Sequence, residues 1–124
     1  MLAESIICVL VAKELVYNKI EEAAYDFGVP KEQLMYIIKN EAAKTRDGDY
    51  LPCGDGDLHL TDPTGKPHQS RGVAQINKYF HPDVRDIDAY NYKYAIEWTA
   101  SRLREGKCSM WTTCRAYNKL YGKT

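Results

Sequence analysis

The sequence predicts a mainly α domain with one small β-hairpin after its second helix. Three observations carry that expectation. Apolar residues recur at helical spacing in four stretches, the middle of the chain is rich in Gly, Pro and Asp, and one turn there is flanked by two short segments. At 124 residues, the chain 1–124 has the size of one domain around one core.

The first helix is expected over Ala3–Phe27, with Val9, Val16, Ile20, Ala23 and Phe27 on one face. Gly28-Val29-Pro30 ends it and opens the second, since Pro suits a helix start. The second helix places Leu34, Ile38 and Ala42 in one stripe with Ile37 beside it. Asp47-Gly48-Asp49 and Gly54 to Asp57 mark loops. Asp62-Pro63-Thr64-Gly65 is a turn flanked by Asp57–Thr61 and Lys66–Ser70, which reads as the hairpin, with Pro67 holding its second strand to an edge. A third helix is signalled from Ala89 to Glu105 by Tyr92, Ile96, Thr99 and Leu103, with Gly106 as its cap, and a last one from Met110 to Leu120, ending at Gly122.

Composition narrows the function classes. The 17 basic and 17 acidic residues cancel, which argues against a nucleic-acid binder or another general polyanion partner. Locally basic stretches, Arg102–Lys107 and Lys119–Lys123, read as solvated faces. Ten Tyr and two Trp against two Phe suit a wet groove that stacks on sugar faces, and equally the edge of an amphipathic core. Of the four cysteines, Cys8 sits in an apolar run and reads as a buried thiol. Cys108 and Cys114 bracket a loop that a disulfide would close, and Cys53 competes as a partner for either. No metal site is expected: there is no Cys-x-x-Cys, His59, His68 and His81 lack ligand spacing, and the segment Asp55–His59 does not match a calcium loop. No apolar run approaches the ~20 residues of a membrane span. The start of the chain lacks the basic segment of a signal peptide.

Glu41 is the most informative residue, because it puts a carboxylate at the edge of the second helix's apolar stripe. Apolar surroundings make a carboxyl harder to ionise, which suits a general acid near neutral pH. A helix-end Glu turned to solvent has the same spacing. The segment Ser70-Arg71-Gly72-Val73-Ala74-Gln75-Ile76-Asn77 follows a polar, Gly-rich stretch, and Arg115-Ala116-Tyr117-Asn118 comes near the end. A helix ending in Glu, a Gly-x-x-Gln-Ile segment and a late Ala-Tyr-Asn, in that order from about Tyr17 to Tyr121, resemble the lysozyme-like superfamily. Within it the chain is most similar to lytic transglycosylases and goose-type lysozymes.

The resemblance implies a mainly helical, α+β lysozyme-like fold. It also implies cleavage of the β-1,4 bond between N-acetylmuramic acid and N-acetylglucosamine in peptidoglycan, without a cofactor. Glu41 would be the acid/base, Tyr117 would orient it, and Ser70, Gly72, Gln75 and Asn118 would line the sugar site, with Asn118 also suited to helix packing. Ser70 stands where hen-type lysozymes carry a second carboxylate, so a single-acid route is favoured. A hydrolytic muramidase would recruit a loop carboxylate from Asp47, Asp49, Asp55, Asp57 and Asp62, with Asp57 the first candidate; all five also suit turns. An inactive peptidoglycan-binding domain is the rival outside the enzyme class. The expected partner is the glycan strand, met by a monomer at the cell envelope or outside the cell. Ala42-Ala43-Lys44 after the Glu and Lys119-Leu120 after the Asn depart from the family pattern and put subsite preference in doubt.

Overall fold

Val16, Ile20 and Ala23 recur every three or four residues, and the helix Lys13–Phe27 (α1) buries all three completely. The computed structural model describes residues 10–52 and 70–122. Within them the expected first helix begins later than its apolar pattern suggests. Val11 is extended and exchanges both backbone hydrogen bonds with Tyr50, at 3.0 and 2.9 Å. Those groups are thus unavailable to a helix, and long-range pairing overrides local periodicity. Residues 3–9, and Cys8 with them, lie outside the described residues. The opening turn of α1 has no side-chain cap of its own; Asp49 Oδ1 accepts from the Lys13 N–H at 3.1 Å from 36 residues away. At the other end Gly28 adopts φ +66° and donates to the Tyr25 carbonyl, while Val29 donates to that of Ala24, a Schellman ending.

Helix α2 (Lys31–Glu41) buries Leu34, Ile37 and Ile38 against α1, and Ala42 just beyond it is also buried, as the spacing predicts. Most of the anticipated hairpin, 57–70, lies outside the described residues. The sheet that is described starts at its last residue: β1 (Ser70–Arg71) runs antiparallel to β2 (Ile76–Asn77), pairing Ser70 with Asn77 and Arg71 with Ile76. Strands of two residues carry too little alternation to be read from sequence. A short helix α3 (Asp86–Ala89) precedes α4 (Tyr92–Arg104), where one helix from Ala89 was expected. The break falls at Asn91, whose side-chain oxygen caps α4 by accepting from the N–H groups of Lys93 and Tyr94. Ile96 and Thr99 of α4 are fully buried, with Tyr92 and Leu103 packed at the core's edge. A single 3₁₀ turn, Cys108–Met110, leads into α5 (Thr112–Tyr121). The core lies where α1, α2 and α4 meet, with Tyr50, Val73 and Trp111 closing it. The described residues are mainly helical, with one small antiparallel sheet. Among the described residues no helix is long and apolar enough to cross a membrane.

The hairpin turn is held from two sides. Gly72 adopts φ +78°, and a Cβ there would meet the Ala89 carbonyl oxygen at 2.0 Å. Gly72→Ala is therefore expected to destabilise by about 2–4 kcal/mol, the sum of a left-handed alanine and an overpacked contact, read as a lowered midpoint in chemical denaturation. Next to it, the Arg71 guanidinium is buried. It donates to the carbonyls of Ile76 (3.1 Å), Val84 (2.8 Å) and His81 (3.3 Å), and to Asp86 Oδ1 at 2.8 Å. This single side chain fastens the segment between β2 and α3 to the hairpin.

Candidate active site

Because α2 ends at Glu41 and α5 begins at Thr112, packing these helices together brings the Glu41 carboxyl to the first turn of α5. Thr113 Oγ1 donates to Glu41 Oε1 at 3.1 Å. Both this bond and the positive end of the α5 dipole favour a negative charge at that point, opposing the apolar surroundings that the sequence suggests.

Glu41 opens onto a cleft of about 790 Å³. Among the described residues, Ser70, Gln75, Ile76 and Asn77 of the hairpin line it together with Phe80, His81, Trp98, Met110, Trp111 and Thr112. Among the described residues lining it, Glu41 is the only carboxylate. The aromatic wall is an ordered stack. His81 meets Trp98 edge-on at 4.9 Å between ring centroids, Trp98 meets Trp111 edge-on at 5.9 Å, and the Arg102 guanidinium lies 5.1 Å from the Trp98 ring centre. Trp111 Nε1 donates to the Ala74 carbonyl at 3.3 Å, locking this wall to the hairpin turn. Phe80 is 61% exposed, leaving its ring available to a ligand in the cleft.

The residues expected at the site separate into two groups. Glu41, Ser70 and Gln75 come together in the cleft. Gln75 has φ +52°, and both its backbone N–H and its side-chain amide donate to the Gly72 carbonyl, at 3.1 and 2.8 Å. It therefore closes the turn as well as facing the cleft. Gly72, Tyr117 and Asn118 are not among the lining residues. The close backbone approach that Gly72 permits is made to Ala89. Tyr117 packs against Tyr36 (5.4 Å) and Tyr121 (4.9 Å), one turn along α5 from Thr113. Asn118 accepts from Gln33 Nε2 at 3.0 Å and donates to Cys108 Sγ at 3.2 Å, joining α5 to α2 and to the disulfide. Of the loop aspartates, Asp49 is the cap of α1, while Asp55, Asp57 and Asp62 lie outside the described residues.

Several positions at the candidate site carried no sequence motif. Thr113, His81, Phe80, Trp98 and Trp111 enter the site only through tertiary packing. One signal pointed toward two of them: Trp111 and Thr113 fall inside the Cys108–Cys114 bracket, and those cysteines are joined. Burial pushes the His81 imidazole below its ordinary 6.5; Asp83 opposes this, while Arg102, Arg71 and Lys107 reinforce it. Since the unfolded chain takes up this proton first, the His81 contribution to stability is intact above pH 6.5 and declines as pH falls below it. Thermal melts from pH 8 down to 5 are expected to show that decline, and His81→Asn to flatten it. Asp86 acts in a separate window: burial opposes its ionisation, but Arg71 and Lys78 hold its carboxyl below 3.8, so its contribution is lost only in stronger acid.

Among the described residues no three His, Cys, Asp or Glu side chains gather in a way that could hold a metal ion. Among the described residues the arrangement offers one carboxyl, one imidazole, several hydrogen-bonding groups and an apolar ring-lined wall, a set suited to acid-assisted cleavage of a polar, ring-shaped ligand. No protein-family model matches the chain, and comparison with curated proteins and with solved structures finds no similar protein.

Proposed function

We propose that the chain is a lysozyme-like domain that cleaves the β-1,4 bond between N-acetylmuramic acid and N-acetylglucosamine in peptidoglycan, with Glu41 as its single acid/base. The observation that carries this reading is the position of Glu41: a half-buried carboxyl, oriented by a hydroxyl, facing a cleft walled by Trp98, Trp111, Phe80 and His81. The exposed ring of Phe80 suits the apolar face of a pyranose, while Ser70, Gln75 and Asn77 supply donors and acceptors for hydroxyl and acetamido groups.

In the first step the Glu41 carboxyl gives its proton to the glycosidic oxygen as the bond from that oxygen to the anomeric carbon breaks, leaving an oxocarbenium-like sugar. The carboxylate then takes a proton from the same sugar's 6-hydroxyl as that oxygen closes on the anomeric carbon. This yields a 1,6-anhydro ring and regenerates the acid. Hydrolysis would place a water in the same role. Ser70 on β1 brings no second charge to the cleft, which fits the single-acid route. The Cys108–Cys114 disulfide suits an oxidising compartment, as work at the cell envelope or outside the cell requires.

Digestion of purified peptidoglycan, with muropeptides resolved by mass spectrometry, tests the reading. Products lighter by one water than reducing-end muropeptides are expected, and they should disappear with Glu41→Gln. Reducing ends would replace the anhydro route by hydrolysis and turn attention to Asp57 as the second carboxylate. Intact glycan with either protein, together with retained binding, would leave an inert peptidoglycan-binding domain.

A further inference from the structure

Thr113 is the second residue of α5 and half-buried, and its hydroxyl reaches Glu41 across 72 residues of sequence. Three constraints fix where that hydroxyl sits. The Cys108–Cys114 disulfide closes the chain on both sides of it. Two residues before Thr113, the Trp111 indole is tied to the Ala74 carbonyl. Gln33 of α2 donates to Cys114 Sγ at 3.3 Å and to Asn118 Oδ1 at 3.0 Å, holding α5 in register against α2. A protonated carboxyl keeps one oxygen that only accepts, so a hydroxyl donating to Oε1 is compatible with both protonation states when the proton is on Oε2.

We propose that Thr113 is a positioning residue for Glu41: its hydroxyl holds Oε1 as the accepting oxygen throughout the reaction and assigns the transferred proton to Oε2. The inference rests on Glu41 being the acid/base. Without the hydroxyl the constraint that Thr113 places on Oε1 is lost, and the proton is presented in the right direction for a smaller share of the time. Among the described residues Thr113 is not one that lines the cleft, so its loss acts on the chemical step and leaves glycan binding alone.

The test compares wild type, Thr113→Val and Thr113→Ser in two measurements. In peptidoglycan digestion, Thr113→Val should lower kcat by about 10- to 100-fold, the scale of a misplaced catalytic group, with KM unchanged; Thr113→Ser should restore it. Independently of turnover, a carbon-13 NMR titration of the Glu41 carboxyl should show its midpoint moving to higher pH in Thr113→Val, because a bond favouring the ionised form is lost, and returning in Thr113→Ser. Among the described residues the ionisable groups on α2 and α5 besides Glu41 are Lys31, Glu32, Tyr36, Lys39, Arg115, Tyr117, Lys119 and Tyr121, with Lys44 beyond α2 and His81 across the cleft; the substitution alters none of them. Should wild type cleave no glycan while the titration shifts in Val and reverts in Ser, positioning stands and the glycosidase reading falls. Unchanged kcat and unchanged midpoint in Thr113→Val overturn the proposal. So does a loss that Ser fails to restore, which would mark Thr113 as merely a packing residue.

Discussion

Glu41→Gln is expected to lower kcat on peptidoglycan by about 10²- to 10⁴-fold, the range for loss of a general acid, while the protein stays folded and still binds glycan. That range corresponds to about 3–5 kcal/mol on the barrier. The amide has the shape of the carboxyl, and its oxygen still accepts from Thr113 as Glu41 Oε1 does at 3.1 Å. What it lacks is a proton to give and a charge with which to take one back. Steady-state turnover of a soluble glycan, paired with a binding isotherm, separates these effects. A variant that binds normally but turns over at the wild-type rate would remove Glu41 from the mechanism. A variant that loses binding and melts early would instead make Glu41 a structural residue at the junction of α2 and α5.

The second large effect is on stability. Arg71→Met is expected to destabilise the fold by about 3–5 kcal/mol, the scale of breaking a buried charged network from one side. Methionine fills the space of the arginine stem, but the carbonyls of Ile76 and Val84, which accept at 3.1 and 2.8 Å, are left in a buried setting without that donor. Asp86 is only partly buried and retains Lys78 at 3.3 Å, so its share of the loss is reduced by solvent. For a chain of 124 residues the melting temperature should fall by more than about 10 °C, as calorimetry would read. The damage should also reach the cleft. The segment that Arg71 holds carries both Phe80 and His81, so glycan affinity should weaken along with stability. A melting temperature within a degree or two of wild type would show that this network is replaceable by water.

Residues whose role is local were the legible ones. Leu34, Ile37, Ile38 and Ala42 announced a buried stripe through their spacing alone, and all four are buried. Gly28 and Gly106 announced helix ends because each takes a positive φ, +66° and +78°. The motif residues Glu41, Ser70 and Gln75 do share one cleft, although the order of motifs spoke to kinship and not to distance. Positions defined by a partner far along the chain were opaque. Nothing near Val11 shows that its backbone will pair with Tyr50, so the first helix was drawn too long. Nothing around Arg71 distinguishes it from a surface arginine until the turn of 77–86 folds over it. Thr113 is an unremarkable helix-start threonine until α2 delivers Glu41 to it. The pairing of β1 with β2 was invisible because two residues per strand leave no alternation to detect.

The cap on α1 bears on how the chain folds as it is made. The helix leaves the ribosome ahead of the carboxylate that completes its opening turn, which follows 36 residues later. At ordinary synthesis rates that interval is roughly two to seven seconds. Until it has passed, the opening turn lacks its Asp49 acceptor, and Tyr50, which pairs with the strand-like residue just before the helix, has not been made either. The nascent first helix is therefore frayed at its start until the loop beyond α2 arrives, and both partners arrive together, since they are adjacent in sequence.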